Sequence, residues 1–131
     1  MELAISRALL DEMKAHASED PEREVCGLLL GRRGRVERIV RSANVASDPH
    51  RHFELDPTVL IAAHRAGREG GLPPIGHYHS HPSGQAVPSA HDAEMAEPGS
   101  YWVIIADGEL TCWWFQTGGP ENPNFEPVMI C

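Results

Sequence analysis

The sequence predicts a single α/β domain in which helices pack against a mixed β-sheet. Its length of 131 residues is close to the commonest size of one domain. Short runs with the pattern of strands interleave with segments of helical periodicity. No repeat, low-complexity tract or linker interrupts the chain. Residues 1–131 are therefore predicted to form one domain, with a core that needs no disulfide bonds.

The N-terminal region is predicted to form a short strand followed by a helix. Leu3 and Ile5 alternate with polar neighbours, which is the pattern of a half-buried strand. Ser6 is a good N-cap for a helix over residues 7–17, whose apolar side chains fall on one face. Asp20-Pro21 should prevent the helix from continuing, because a proline disfavours the helical conformation of the residue before it.

The next predicted elements are a hairpin, a short strand and a helix. Residues 25–30 are almost wholly apolar, which indicates a strand buried on both faces. A basic turn at 32–34 joins it to the alternating residues 35–43. Residues 52–55 are predicted to form a short strand. Pro57 then suits the first position of a helix that runs to about residue 66, before a glycine-rich end.

The second half is predicted to contain three strands and one short helix. Ser89 is a good helix cap, and Asp107-Gly108 between two alternating runs is a strong hairpin signal. The predicted ranges are strands at 72–81, 101–106 and 109–116, a helix through residue 95, and a last apolar stretch at 128–130.

Composition and charge limit the classes of partner and the compartment. The net charge of −8 argues against nucleic acid or an anionic membrane as the main partner, since both reward clustered Lys and Arg. No apolar run approaches the ~20 residues that cross a bilayer, and the acidic N-terminus does not resemble a signal peptide. The three cysteines, Cys26, Cys112 and Cys131, form no C-x-x-C pair. We therefore expect a cytoplasmic protein with reduced thiols.

A cluster of histidines predicts a metal site. His77, His79 and His81 occupy alternate positions of one predicted strand, so their side chains share a face. Two imidazoles on one face form half of a zinc site. Asp92 follows a Pro-Ser-Gly loop that lets the chain fold back toward the histidines. Three protein ligands leave an open position, as in catalytic rather than structural zinc sites.

These residues carry a resemblance to a known family. The chain resembles the JAMM (MPN-plus) zinc metalloproteases in their minimal bacterial and archaeal form. That family combines a Glu on an early strand with H-[ST]-H-P and, after a fixed interval, S-x-x-D. Here the matching residues are Glu24, the segment 79–82, Ser89 and Asp92. Residues 24–31 and 53–57 also resemble the corresponding family segments, so the similarity spans essentially the whole chain.

The resemblance implies a fold and a set of roles. The fold is a single MPN-like domain with a mixed, largely antiparallel β-sheet flanked by helices, an architecture similar to that of cytidine deaminases. His79, His81 and Asp92 would bind Zn²⁺. Glu24 would act as general base on the zinc-bound water and pass the proton to the leaving amine. Ser89 would donate a hydrogen bond to the oxyanion of the tetrahedral intermediate.

The resemblance also implies a reaction and a substrate class. A zinc-dependent metallopeptidase or isopeptidase is expected to hydrolyse an amide bond after the Gly-Gly tail of a ubiquitin-like sulfur-carrier protein. Two alternatives stay open: a non-catalytic MPN-type binding or assembly module, and a small-molecule amidase. The donor set suits zinc, but iron and cobalt occupy similar sites.

Other polar residues near the motif receive weaker assignments. His77 shares the ligand face but lies one pleat further back, so we expect that it is not a ligand. Ser80 should face away from the metal by strand alternation and have a structural role. His91 is expected at the surface. The remaining histidines have no assigned role; they are His16, His50, His52 and His64.

Overall fold

A computed structural model describes residues 1–116 and 124–131. In this part of the chain, the three helices are α1 (Arg7–Glu19), α2 (Pro57–Arg68) and α3 (Ala90–Met95). The seven strands are β1 (Glu2–Leu3), β2 (Cys26–Arg32), β3 (Arg35–Ser42), β4 (Pro74–Ser80), β5 (Ser100–Ala106), β6 (Glu109–Gln116) and β7 (Asn124–Ile130).

The described strands form one sheet in the order β1-β7-β6-β5-β4-β2-β3. The pairs β1–β7 and β4–β5 are parallel and the other four pairs are antiparallel. Ala4 accepts a hydrogen bond from Val36 N and donates one to Gly34 O, so the two ends of the strand order meet and the sheet curls. This arrangement confirms the predicted fold class of a mixed, largely antiparallel sheet with helices.

The core lies between helix α1 and the sheet and includes strand β2. Leu28, Leu29 and Leu30 of β2 are all buried, as predicted for a strand covered on both faces. Met13 of α1 is also fully buried. Burial of each such side chain stabilises the fold by about 1.5–3 kcal/mol.

Helix α1 follows its sequence signals closely. Ser6 caps it, since its hydroxyl oxygen accepts a hydrogen bond from Leu9 N (3.3 Å), and Asp20 follows its last residue. On β4, the Tyr78 ring packs where a side chain at Gly27 would lie, and its hydroxyl is 2.8 Å from His16 Nδ1. This contact fixes α1 against the strand that carries the histidine motif.

Most predicted elements begin and end within two residues of the observed ones, but one predicted strand is absent. Residues 52–55 do not form a strand; Leu55 makes only an isolated bridge with Asn44. The Asn44 side chain bonds His52 O and Glu54 N, so these backbone groups are unavailable to a strand partner. Helix α2 runs past Gly67 to Arg68, beyond the predicted end, and Asp56 caps its first turn.

The cysteines and the helices carry two further observations. Cys26 and Cys112 are buried free thiols and Cys131 is an exposed one, as expected for a chain without a disulfide framework. Within residues 1–116 and 124–131, no helix has the length and apolar composition required to cross a membrane.

Candidate metal centre

The strand order brings the motif residues to one end of the sheet. Strand β4 ends at Ser80, and His79 pairs across the ladder with Cys26, near the start of β2. Glu24 lies two residues before β2 begins and is therefore beside the histidines, although 55 positions separate it from His79 in the sequence. A hydrogen bond from Val25 N to Ser80 Oγ (2.8 Å) secures this approach.

His79 and His81 face each other at this end of the sheet. Both are buried, and their Nε2 atoms lie 2.9 Å apart. The Nδ1 atom of His81 lies 2.8 Å from Gln85 O. Because a carbonyl oxygen only accepts, Nδ1 is the donor of this bond, and in the neutral form of the ring the lone pair that a metal needs is therefore on Nε2.

Asp92 completes a set of three converging donor atoms. Its Oδ2 lies 3.3 Å from His79 Nε2 and 3.2 Å from His81 Nε2. The same oxygen accepts a hydrogen bond from Ser89 N (2.9 Å), while Ser89 Oγ accepts one from Asp92 N (3.0 Å). This reciprocal capping box fixes the carboxylate at the start of α3.

The spacing of these atoms fits a tetrahedral zinc ion. Ligand atoms about 2.0–2.1 Å from zinc lie about 3.3 Å apart in a tetrahedron. The three observed separations, 2.9, 3.2 and 3.3 Å, are close to that value. Two imidazole nitrogens and one carboxylate oxygen are also a donor set that zinc prefers. The residues present therefore fit the metal that the sequence predicts.

Charge balance within this trio explains three pKa shifts. Burial would raise the pKa of Asp92, but hydrogen bonds from His79 and His81 outweigh it and hold this pKa well below its usual range. Burial lowers the pKa of His79. Burial also opposes the charged form of His81, but the contact with Asp92 is stronger and the pKa of His81 rises. The ionised carboxylate is thus the stable form of Asp92 at neutral pH.

Glu24 is a second carboxylate beside the same histidines. One of its oxygens and nitrogens of His79 and His81 all lie within 4.8 Å of one another. Its residue is 5% exposed, and Oε1 has no hydrogen-bond partner within the described part of the chain. Burial raises the pKa of Glu24 to about 8, while the charge on His81 lowers it and that on Asp92 raises it. A carboxyl group with such a pKa gains and loses its proton near neutral pH.

His77 lies on the same face but outside the converging trio. Its ring packs edge-on against Trp102, with centroids 4.2 Å apart. Burial lowers its pKa to about 3, so His77 is neutral at physiological pH. The structure thus places it in an aromatic cluster behind the metal centre, consistent with the expectation that it is not a ligand.

Two aromatic contacts near the centre were not foreseen from the sequence. Phe53 stacks on His79 with centroids 4.2 Å apart and an interplanar angle of 17°. His52 packs against His91 with ring centroids 3.8 Å apart, so His91 is half-buried rather than fully exposed. The similarity of residues 53–57 to a family segment marks this region as important, but periodicity gives no sign that Phe53 reaches His79.

Two small clefts adjoin the centre. One, of about 230 Å³, is lined by His81 and Pro82, by the end of α1, and by the turn at Asp107 and Gly108. The other, of about 270 Å³, is lined by Ser89 and Phe125 together with small residues of α3. Each cleft is lined by one residue of the sequence motif, His81 in the first and Ser89 in the second.

Comparison with known proteins identifies the family. A family model described as prokaryotic homologs of the JAB domain matches residues 6–116. The chain is 38% identical to a desampylase from Haloferax volcanii, over 83% of this chain and 84% of the relative. It is 39% identical to a probable TtuB-protein conjugate cleaving protease from Thermus thermophilus, over 79% and 69%. A CysO-cysteine peptidase from Mycobacterium tuberculosis is 34% identical, over 79% and 73%.

Solved structures agree with this result. The solution structure of a protein from Desulfitobacterium hafniense superposes with a TM-score of 0.82 at 30% identity, covering 98% of this chain and 91% of that one. A JAB1/MPN domain protein from Archaeoglobus fulgidus shares the fold, with a TM-score of 0.59 at 19% identity and coverage of 100% and 96%. The predicted resemblance to JAMM proteins and the prediction of a hydrolase are confirmed. The chain belongs to the family of prokaryotic homologs of the JAB domain.

Proposed function

We propose that this protein is a zinc-dependent metallopeptidase that hydrolyses an amide or isopeptide bond after the Gly-Gly tail of a ubiquitin-like protein. The observation that carries the proposal is the convergence of His79 Nε2, His81 Nε2 and Asp92 Oδ2 within 3.3 Å of one another, with Glu24 alongside. In this proposal the three converging residues bind the metal. The two remaining motif residues, Glu24 and Ser89, act on protons and charge.

The proposed role of each group follows from its surroundings. A zinc ion held by the trio would polarise the scissile carbonyl and lower the pKa of water from about 15.7 to about 7. Glu24 is proposed to accept a proton from the attacking water, because burial raises its pKa to about 8, which makes its carboxylate a stronger base than an ordinary one, and its Oε1 has no partner among the described residues. The same carboxyl group then donates that proton to the leaving amine.

Ser89 is proposed to stabilise the oxyanion. Its oxygen already accepts a hydrogen bond from Asp92 N (3.0 Å), so the hydroxyl proton is free to point elsewhere. The capping box fixes the hydroxyl before substrate arrives, and preorganised donors of this kind stabilise developing negative charge most effectively.

Three relatives support a ubiquitin-like substrate. Their names describe a desampylase, a protease that cleaves TtuB-protein conjugates and a CysO-cysteine peptidase. The cleft beside Ser89 is lined by Pro88, Ala90 and Ala93, among other residues. These small side chains leave room for a narrow backbone, and glycine is the residue that permits the closest backbone approach. We therefore propose a Gly-Gly tail as the segment that enters the site.

The test is cleavage of a small ubiquitin-like domain that ends in Gly-Gly followed by a short peptide. Zinc-loaded wild-type protein should release the peptide, whereas His79→Ala should not. A matched junction of Ala-Ala should be cleaved much more slowly, and an amino-acid amide should be inert. Cleavage of the amide alone would point to a small-molecule amidase. Binding of the fusion without turnover would point instead to a non-catalytic module.

A further inference from the structure

Asn44 lies just after β3, where the chain leaves the sheet, and its side chain uses its full hydrogen-bonding capacity. Nδ2 donates to Glu24 O (2.8 Å) and to His52 O (2.9 Å). Oδ1 accepts from Ala46 N (3.0 Å) and from Glu54 N (3.0 Å). An Asn amide offers two donor hydrogens and two acceptor lone pairs, so every position is filled. The opposite orientation of the amide would set its oxygen against two carbonyls, so the network fixes one orientation.

These four bonds connect two parts of the candidate metal centre. One bond holds the carbonyl of Glu24. Two others hold His52 and Glu54, the residues on either side of Phe53, whose ring stacks on His79 at 4.2 Å. The segment between Asn44 and His52 also contacts Glu24 directly, since Glu24 N donates to Pro49 O (2.8 Å). A single side chain thus ties the backbone of Glu24 to the ring that packs on His79.

The stacking of Phe53 on His79 helps to fix the orientation of the His79 ring. Histidines that bind metals usually donate their second ring N–H to a carboxylate, a carbonyl or water, which fixes the ring orientation. The Nδ1 atom of His81 lies 2.8 Å from Gln85 O, but that of His79 is buried and has no partner among the described residues. Phe53 lies nearly parallel to the His79 ring, and Trp102 meets it edge-on at 5.5 Å. Within the described part of the chain, the His79 ring is therefore held by aromatic packing and not by a hydrogen bond at Nδ1.

We propose that Asn44 is a positioning residue that holds Glu24 and the Phe53 ring in one fixed arrangement around His79 and His81. This inference deepens the proposed function and depends on it for its catalytic consequence. Asn44 does not reach the reacting atoms itself. It acts through the carbonyl of Glu24 and through the segment that carries Phe53.

Two substitutions at Asn44 and one control separate positioning from general stability. Asn44→Ala removes all four bonds, whereas Asn44→Asp keeps the two acceptors and removes the two donors. Ser42→Ala is the matched control. Ser42 is buried and its hydroxyl accepts a hydrogen bond from Asp56 N (2.9 Å), so it anchors the far end of the same segment, and among the described residues its side chain makes no hydrogen bond to Glu24 or residues 52–54.

The first measurement uses metal-free protein and needs no catalytic activity. Because the Phe53 ring stacks on His79 at 4.2 Å, its ring current should shift the NMR signals of the His79 imidazole protons. We expect this ring-current shift to fall by more than half in Asn44→Ala and Asn44→Asp and to persist in Ser42→Ala. Unchanged His79 shifts in a folded Asn44 variant would overturn the inference, whether or not the protein proves to bind zinc.

The second measurement is zinc affinity by competition with a chromogenic chelator, followed by steady-state cleavage. Supporting groups of metal ligands typically contribute 10–100-fold to affinity or activity. We expect both Asn44 variants to lose about that much zinc affinity, with kcat falling more than KM changes, and Ser42→Ala to stay within about 2-fold. Variants that lose stability but retain zinc affinity and kcat would show a merely structural role. Wild-type protein that binds no zinc would defeat the proposed function, while the NMR measurement would still decide the role of Asn44.

Discussion

Glu24 and Asp92 flank the same pair of buried histidines, yet their surroundings shift their pKa values in opposite directions. Asp92 Oδ2 faces His79 Nε2, His81 Nε2 and Ser89 N, which hold its pKa well below the usual range despite burial. Burial raises the pKa of Glu24 to about 8, and its Oε1 has no hydrogen-bond partner among the described residues. Two carboxyl groups with divergent pKa values are suited to different roles.

The difference arises from where the chain places each carboxylate. Asp92 lies in the first turn of α3, where the capping box supplies a backbone donor, and the preceding loop brings it onto the histidines. Glu24 precedes β2, a strand buried on both faces, and the segment around Pro49 lies against its backbone. One carboxylate is thus suited to bind a cation permanently and the other to exchange a proton.

The largest expected effect is the loss of zinc binding in Asp92→Asn. The amide keeps the shape and can still accept from Ser89 N, but it lacks the charge that balances a cation. At a zinc concentration 100 times Kd, wild-type protein should gain about 2.7 kcal/mol of stability, visible as a rise in Tm. The variant should show almost none of this rise in a thermal scan. An equal rise in both proteins would exclude Asp92 as a ligand.

Glu24→Gln should separate chemistry from binding. We expect kcat to fall by about 10²–10⁴, since general acid–base catalysis typically contributes that much, while zinc affinity stays within a few-fold. Glu22→Gln is the matched control, because the same substitution is made two residues earlier at an exposed position. Steady-state kinetics on the Gly-Gly fusion would measure the effect. Full activity in Glu24→Gln would refute its role as the base.

Ser89→Ala should reduce kcat by about 10²-fold, the effect of removing one oxyanion donor. Loss of a helix cap by itself costs about 1 kcal/mol of stability, so a control must reproduce that loss. Ser6→Ala removes the cap of α1, away from the motif residues. The proposal predicts similar losses of stability in the two variants and a fall in kcat in Ser89→Ala alone. If kcat changed by the same factor in both variants, Ser89 would act only as a helix cap.

The expected effect that involves neither zinc nor catalysis is a pH-dependent difference in stability between metal-free wild type and Glu24→Gln. The pKa of Glu24 is about 8 in the folded protein against an ordinary value of 4.5, so folding favours its protonated form. Its contribution is complete below pH 4.5 and is lost as the pH rises toward 8. Wild type should lose stability relative to the variant over that window, by up to about 1.4 kcal/mol per pH unit. Urea unfolding at pH 5, 6, 7 and 8 would test this slope, and a constant difference would contradict it.

The sequence predicted most of the scaffold because its signals are local. The apolar run of β2, the Ser6 and Ser89 caps and the Asp107-Gly108 turn each specify an element within a few residues. The histidine motif also correctly predicted that the side chains of His79 and His81 lie next to each other, since strand alternation places both on one face.

The rest depends on contacts that periodicity does not encode. Residues 52–55 alternate like a strand, but the Asn44 side chain takes their backbone hydrogen bonds. The same segment stacks Phe53 on His79. It also covers the backbone of Glu24, whose pKa is raised by burial. A side chain that bonds four separated backbone groups leaves no repeating pattern in the sequence.

Zinc content by elemental analysis, measured for wild type beside Glu24→Gln and Asp92→Asn, tests the division between the two carboxylates most directly. We expect about one zinc per chain in wild type and in Glu24→Gln and almost none in Asp92→Asn, consistent with three protein ligands and an open position. The reverse pattern, with zinc lost from Glu24→Gln and retained by Asp92→Asn, would make Glu24 the ligand. That result would contradict the roles proposed here for Glu24 and Asp92.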